Sequence, residues 1–140
     1  MLYKTLMFLS FCVQHTPYFI VMAIGNVLGR LYYIIVKKQR NRAIEQIKRS
    51  FNLKGEEAKK IIRASFINLA KNMLEILYMP KLNRENLSEY ITIENFENVQ
   101  KAIAEGKGLV VATGHIGTWE WMSASMAIMG VPTTAIAKPQ

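Results

Sequence analysis

The sequence of 140 residues predicts a chain in two parts: membrane-associated amino-terminal helices, followed by the start of a parallel α/β domain. Residues 5–29 contain no Asp, Glu, Lys or Arg, and apolar residues recur at helical spacing through residues 37–84. After residue 85, short apolar runs alternate with helical patterns, which is typical of α/β folds. We therefore expect an apolar membrane anchor (1–36), basic and amphipathic helices (37–84) and the first part of an α/β domain (85–140).

The apolar amino-terminal segment is long enough to cross a bilayer, whose hydrocarbon core takes about 20 residues. Its middle is interrupted at residues 14–17 by the polar run Gln-His-Thr-Pro, which would leave two short helices suited to the membrane interface. Three interpretations stay open: an interfacial or re-entrant anchor, a true span, and a signal peptide or buried core helix. Gly25 and Gly29 form a GxxxG pair through which a second helix could approach closely.

Positive charge follows the apolar segment. The chain has 18 Lys and Arg against 10 Asp and Glu, a formal charge of +8, and 51% of its residues are hydrophobic. Such a chain favours an anionic partner, and cations directly after an apolar segment keep that end on the cytoplasmic side of a membrane. This basic run contains Lys37, Lys38, Arg40, Arg42, Lys48 and Arg49. No nucleic-acid partner is expected, because the sequence lacks a recognisable reading motif and aromatic residues interleaved with the basic ones.

The strongest helical pattern covers residues 56–78. Glu56 and Glu57 begin it, where negative charge suits the helix dipole, and Pro80 stops it. We interpret its apolar stripe as core: Ala58, Ile62, Phe66, Leu69, Met73 and Leu77.

Residues 85–140 predict strands and helices in alternation. The expected strands are residues 90–93, 108–113 and about 131–137, and the expected helices are residues 97–105 and 119–129.

The stretch GHIGTWEW, residues 114–121, joins the second strand to the second helix of this pattern. On one continuous helix, His115 and Glu120 would point about 140° apart, so they can meet only if the chain turns between them. Gly114 and Gly117 allow such a turn, and His115 then lies at the carboxyl edge of the sheet, where open α/β folds place their sites. A carboxylate beside an imidazole orients the ring and stabilises the imidazolium, so the pair could deprotonate a substrate hydroxyl. The alternative is a structural histidine that caps the loop.

The residues predict neither a metal site nor a disulfide within the chain. His15, in the anchor, is the only other histidine, and no HExxH motif occurs. Cys12 is the single cysteine.

The run GLVVATGHIGTWE, residues 108–120, closely resembles the first catalytic block of the bacterial lipid A biosynthesis acyltransferases. These are the lauroyl and myristoyl transferases of the lysophospholipid acyltransferase superfamily, whose signature is a histidine, four residues, and then Asp or Glu. The resemblance covers essentially the whole chain, as the amino-terminal portion of the family. It includes the apolar anchor, the basic helix, a Met-Leu-Glu motif at residues 73–75 and the run EGKG at residues 105–108.

The resemblance implies a membrane enzyme that moves a fatty acyl group from acyl carrier protein, or acyl-CoA, to a hydroxyl of a glycolipid acceptor, a lipid A precursor. His115 would be the general base and Glu120 its orienting partner, with the catalytic part on the cytoplasmic side of the inner membrane. No metal or redox cofactor would be needed. Both donors are strongly anionic, which suits a basic protein at an anionic membrane.

The family's members are longer, so the resemblance also implies a truncated α/β domain with too few strands for a stable sheet. We expect the 140 residues alone to be poorly active or inactive. Two alternatives stay open: an acyltransferase for another glycolipid, such as a phosphatidylinositol mannoside, and a non-catalytic membrane-bound fragment that binds lipid or a partner helix.

Overall fold

The computed structural model describes residues 2–134, and the chain divides into two compact units, Met1–Lys81 and Leu82–Gln140. Unit 1 consists of four helices and a final turn of 3₁₀ helix at Met79–Lys81. The helices are α1 (Leu2–Gln14), α2 (Tyr18–Ile35), α3 (Lys37–Phe51) and α4 (Gly55–Tyr78). Their positions agree with the helical patterns of the sequence, since each forms from contacts that are local in the chain.

The predicted break at residues 14–17 is confirmed, because α1 ends at Gln14 and α2 begins at Tyr18. Pro17 supplies the carbonyl that accepts hydrogen bonds from the backbone N–H groups of Ile20 (2.9 Å) and Val21 (3.2 Å). Its ring fixes φ at −54°, which suits the start of a helix. The break therefore comes from a proline at a helix start, and α1 and α2 are separate helices.

The close approach predicted for Gly25 and Gly29 occurs within the chain, against α4. A Cβ atom added to Gly29 would lie 2.4 Å from the Ile67 Cα, and one added to Gly25 would lie 3.1 Å from the Lys71 Cα. Both glycines are buried, because their missing side chains let the two helix backbones pack directly. The pairing of residue 25 with 71 and of residue 29 with 67 makes α2 and α4 antiparallel.

One core cluster of unit 1 lies between α3 and the first half of α4. Ile44 of α3 is buried with Ala58 and Ile62 of α4. The core prediction for the α4 stripe is right for Ala58 and Ile62, and it is wrong farther along, where Leu69 is 45% and Met73 54% exposed. The second half of α4 packs on α2 through Ile67, Lys71 and Leu74. These residues share one face of the helix, and Leu69 and Met73 lie on the other face.

The described residues of unit 2, 82–134, form three short helices: α5 (Leu87–Tyr90), α6 (Phe96–Ala104) and α7 (Trp119–Ile128). The inner face of α7 holds Trp121, which is 6% exposed, and Ser125, which is 1% exposed. Trp121 packs edge-on against Tyr90 at a ring-centroid distance of 6.4 Å, and Ser125 Oγ donates a hydrogen bond of 2.6 Å to the Trp121 carbonyl. The ring contact joins α7 to the end of α5, whereas the hydrogen bond lies within α7.

The predicted strands are not seen, so the parallel α/β class is not formed within residues 2–134. Tyr90 is the last residue of α5, and residues 108–113 form no strand. The apolar side chains of that run are exposed, Val110 by 95%, because a strand is stable only when neighbouring strands bond its backbone and cover its faces. Residues 131–134 form no strand either, and residues 135–137 of the third predicted strand lie outside the described residues.

Among the described helices, α2 alone is long and apolar enough to cross a membrane, with a mean hydropathy of 1.5 over 18 residues. A buried core helix or a signal sequence meets the same criterion. Length and composition alone therefore do not decide the membrane role of α2.

Candidate active site

The candidate site lies in the loop that joins α6 to α7. Three glycines in this loop have left-handed backbone conformations: Gly106 (φ 70°), Gly108 (φ 79°) and Gly117 (φ 61°). Of the two glycines expected to turn the chain beside His115, only Gly117 has the positive φ that requires glycine. At Gly114 the carbonyl instead accepts a hydrogen bond of 2.9 Å from the Ile116 N–H, which tightens the turn around His115.

His115 is exposed at this turn. Its ring packs against the ring of Trp119, with the centroids 4.9 Å apart and an angle of 61° between the planes. Trp119 is the first residue of α7, so the contact joins the loop to the start of that helix. In the part of the chain that the structure describes, no hydrogen bond or ion pair joins His115 to Glu120.

Glu120 lies in the first turn of α7, as predicted, and is half-buried. An acidic residue in the first turn of a helix lies near the positive end of the helix dipole, which favours the helix. Thr118 precedes the helix, and its carbonyl accepts a hydrogen bond of 3.0 Å from the Trp121 N–H. The structure thus places the two candidate residues on either side of one helix start, without a direct contact between them.

The sequence alone missed the contribution of Trp119. The sequence-based predictions assign no role to this residue, whereas its ring contacts the imidazole of His115. The available signal for this ring contact was the spacing, since His115 precedes Trp119 by four residues. The sequence-based predictions also do not include the burial of Trp121. Ser125 follows it by four residues on the same face of α7 and is buried with it, so this spacing was the available signal.

Unit 2 also has an open groove of about 450 Å³. Its walls are mainly apolar, formed by Leu87, Ile91, Ile93, Phe96 and Met129. Three polar residues complete the lining: Arg84, Ser88 and Gln100. A mainly apolar groove with a few polar groups is the usual form of a small-molecule site.

A histidine in an exposed loop and an acid in the following helix start are residue types of sites that transfer groups by acid–base chemistry. These two residue types do not identify a family by themselves; the family assignment rests on nearly the whole sequence. Residues 3–140 match the family model described as bacterial lipid A biosynthesis acyltransferase, and the chain belongs to this family. The resemblance seen at residues 108–120 is thereby confirmed, and the chain is of the acyltransferase type. Comparison with curated proteins and with solved structures gives no match.

Proposed function

We propose that the protein transfers a fatty acyl group from acyl carrier protein, or from acyl-CoA, to a hydroxyl of a lipid A precursor. The observation that carries this proposal is the family match over residues 3–140, which includes the His115 block. The exposure of His115 supports it, because a base that deprotonates a lipid hydroxyl must be reachable from outside the protein.

In the proposed reaction, His115 is the general base. The acceptor oxygen attacks the thioester carbonyl carbon while the neutral imidazole takes the hydroxyl proton. The tetrahedral intermediate then collapses, the carbon–sulfur bond breaks, and the acceptor keeps the acyl group as an ester. The departing thiolate receives the proton from the imidazolium, which returns His115 to its starting state.

Glu120 is proposed to orient His115 and to stabilise the imidazolium. This role requires a contact between the two side chains, whereas in the structure the His115 ring packs on Trp119. Catalytic hydrogen bonds are often long or absent before substrate binds, and the left-handed Gly117 between the two residues permits the change of direction. We propose that acceptor binding moves the imidazole from Trp119 to Glu120.

The groove of unit 2 is the proposed site for the acyl chain. Its apolar wall would remove hydrocarbon from water. Met129 follows Glu120 by nine residues, which is about 13 Å along a helix. An acyl chain with its carbonyl at the start of α7 would therefore extend along the helix toward Met129.

Residues 108–113 are proposed to become a buried strand of a parallel sheet. Six residues with four apolar side chains match a strand buried on both faces, and their present exposure supports the proposal that such a sheet needs strands from outside residues 2–134. We therefore propose that activity requires these additional strands.

We propose that unit 1 attaches the enzyme to the cytoplasmic face of the inner membrane. Apolar side chains exposed on α1 and α2, followed by the basic α3, support this location. The attachment would bring the site to an acceptor that is itself a lipid.

The test is acyl transfer in membranes from labelled acyl carrier protein or acyl-CoA to a lipid A precursor. The chain would be compared with the same chain extended by its downstream coding sequence. Transfer by the extended chain alone supports the sheet proposal, and transfer by both contradicts it. Transfer only to a phosphatidylinositol mannoside would replace the proposed acceptor. No transfer to any acceptor by the extended chain would leave a membrane-bound protein without catalysis.

A further inference from the structure

The surface of α1 and α2 is unusually apolar. Fifteen large apolar side chains on these two helices are exposed, six on α1 and nine on α2. They include Phe8 (66%), Phe11 (59%), Phe19 (73%), Val27 (57%) and Ile35 (74%). A continuous apolar surface of this extent needs a non-aqueous partner.

A bilayer can cover this surface in two ways, with α2 across it or with α1 and α2 lying in one leaflet. The 18 residues of α2 span about 27 Å, close to the hydrocarbon thickness. The 13 residues of α1 span only about 20 Å, which is too short to cross. Whether α2 crosses the bilayer therefore depends on which residues pack beside it.

The packing of α4 on α2 opposes a span. Lys71 lies beside Gly25, near the middle of α2, with its Cγ 2.9 Å from the position of an added Cβ. If α2 crossed the membrane, it would carry Lys71 to the bilayer centre, where a charged lysine is strongly disfavoured. Within residues 2–134 no ion pair offsets that charge. Asn68 and Asn72 flank it on α4 and would add to the penalty.

The two helices cannot separate easily to avoid this cost. Gly29 packs on the backbone of Ile67, and Tyr18 Oη donates a hydrogen bond of 2.6 Å to Glu75 Oε1 near the other end of the same contact. Moving α2 alone into the hydrocarbon would leave the Glu75 carboxylate without that donor. The helices α2 and α4 therefore enter or avoid the membrane as one body.

The charges indicate which surface binds the protein. Residues 37–63 contain ten Lys and Arg against three Glu, a net charge of +7 out of +8 for the whole chain. This segment begins two residues after α2 ends, so its first cations lie where α2 would meet lipid head groups. Anionic head groups attract such a segment, and each cation near the surface adds to the attraction.

We propose that α1 and α2 lie in one leaflet of an anionic membrane, with the exposed apolar side chains in the lipid and α4 at the level of the head groups, so that unit 1 does not cross the bilayer. This proposal rests on the membrane attachment in the proposed function but not on the chemistry. Its test needs no acyl transfer.

The test uses single cysteines on either side of α2, in a chain where the lone native cysteine is removed by Cys12→Ser. Thr16→Cys marks the break before α2, and Gln39→Cys marks an exposed position on α3. A membrane-impermeant maleimide is added to intact spheroplasts and to inside-out membrane vesicles. We expect both cysteines to react in inside-out vesicles and neither in spheroplasts.

Reaction of the two cysteines from opposite sides would show a span and overturn the proposal. A Thr16→Cys thiol that reacts only after detergent would also overturn it, because the break would then lie deep in the bilayer. Reaction of both from the outer side would keep the single-leaflet arrangement and contradict the cytoplasmic location instead.

A second measurement avoids substitution altogether. The native Cys12 is exposed on α1 and can carry a fluorophore in vesicles of phosphatidylethanolamine and phosphatidylglycerol. Brominated lipids quench according to depth, and a helix in the interface lies about 5–10 Å into the boundary of the head groups and acyl chains. Stronger quenching by shallow bromines is expected, and stronger quenching by bromines near the bilayer centre would overturn the proposal.

Discussion

Unit 1 and unit 2 differ in charge and in how their structure is held. Residues 1–81 contain 14 Lys and Arg against four Glu, whereas residues 82–140 contain four against six. The net charges are therefore +10 and −2. Unit 1 consists of long helices that pack on one another, while unit 2 has short helices and an exposed apolar loop.

The difference shows which interactions each unit needs. The helices of unit 1 satisfy their backbone hydrogen bonds internally, so they form without strands from elsewhere. Unit 2 carries the candidate catalytic residues and an apolar run whose backbone and side chains need a sheet. We infer a division of work in which unit 1 attaches the protein to a membrane and unit 2 performs the chemistry.

The largest effect is expected at His115. His115→Ala removes the proposed general base, and acyl transfer by the active form should fall by about 100- to 10,000-fold. Membrane attachment should be unchanged, because the substitution lies in unit 2. The control is Asn98→Ala, at an exposed position on α6 outside the site and groove.

The dyad itself is tested by adding Glu120→Ala. If Glu120 acts through His115, the double variant should be about as slow as His115→Ala alone. Losses that multiply would mean that the two residues act independently.

The second effect concerns the charge of unit 1. Lys38, Arg42 and Arg49 share the outward face of α3 and are exposed, with no ion pair to any of them in the described part of the chain. Changing all three to Gln should weaken binding to phosphatidylglycerol vesicles by up to about 3 kcal/mol, at about 1 kcal/mol per charge. Vesicle sedimentation at low salt measures this effect.

The charge-preserving variant K38R/R42K/R49K is the matched control and should bind normally. Equal weakening on phosphatidylcholine vesicles would assign the loss to folding rather than to head-group attraction.

The third effect concerns the contact of α2 with α4. Gly29→Ala places a Cβ 2.4 Å from a backbone atom that cannot move aside, and we expect unit 1 to lose about 1–3 kcal/mol of stability. Thermal unfolding in detergent, followed by circular dichroism, measures the loss.

Gly55→Ala is the control for this glycine, since a Cβ there meets nothing within 4 Å and alanine favours the helix. If both variants unfold at the same temperature, the close approach of α2 and α4 does not contribute to stability.

The smallest effect is expected for Tyr18→Phe. This change keeps the ring contact with Tyr78, whose centroid lies 5.5 Å away, and removes the donor to Glu75. The loss should be about 1–2 kcal/mol, because a charged acceptor loses a hydrogen bond. Tyr32→Phe is the control, since the Tyr32 ring packs on Phe66 and its exposed hydroxyl has no hydrogen bond within the described residues. Equal melting temperatures for the two variants would show that the hydrogen bond adds no stability.

The sequence predicts the helices well because their signals are local. The break before Tyr18 follows from one proline, and the pattern at residues 56–78 matches α4, Gly55–Tyr78, within one residue. Burial is harder to predict, since Leu69 belongs to the same stripe as Ile62 and is nevertheless exposed. Burial depends on which face of α4 the neighbouring helices cover, and the stripe itself does not contain that information.

Local sequence patterns could not predict whether the strands form or which side chain His115 contacts. A strand depends on partners distant in sequence, and residues 108–113 have none within the described part of the chain. For the site, the pattern locates Glu120 at a helix start correctly, but not the packing of His115 on Trp119. Side-chain contacts across a turn depend on rotamers, which spacing does not determine.

The exposed run at residues 109–111 has a consequence for how the protein is made. Leu109, Val110 and Val111 are apolar, β-prone and uncharged, which is the composition of segments that aggregate. Translation proceeds from the amino terminus, and the first part of a chain folds before the rest is complete. We expect α1–α4 to bind the membrane before this run leaves the ribosome. Membrane binding would then keep neighbouring nascent chains separate when the aggregation-prone run emerges.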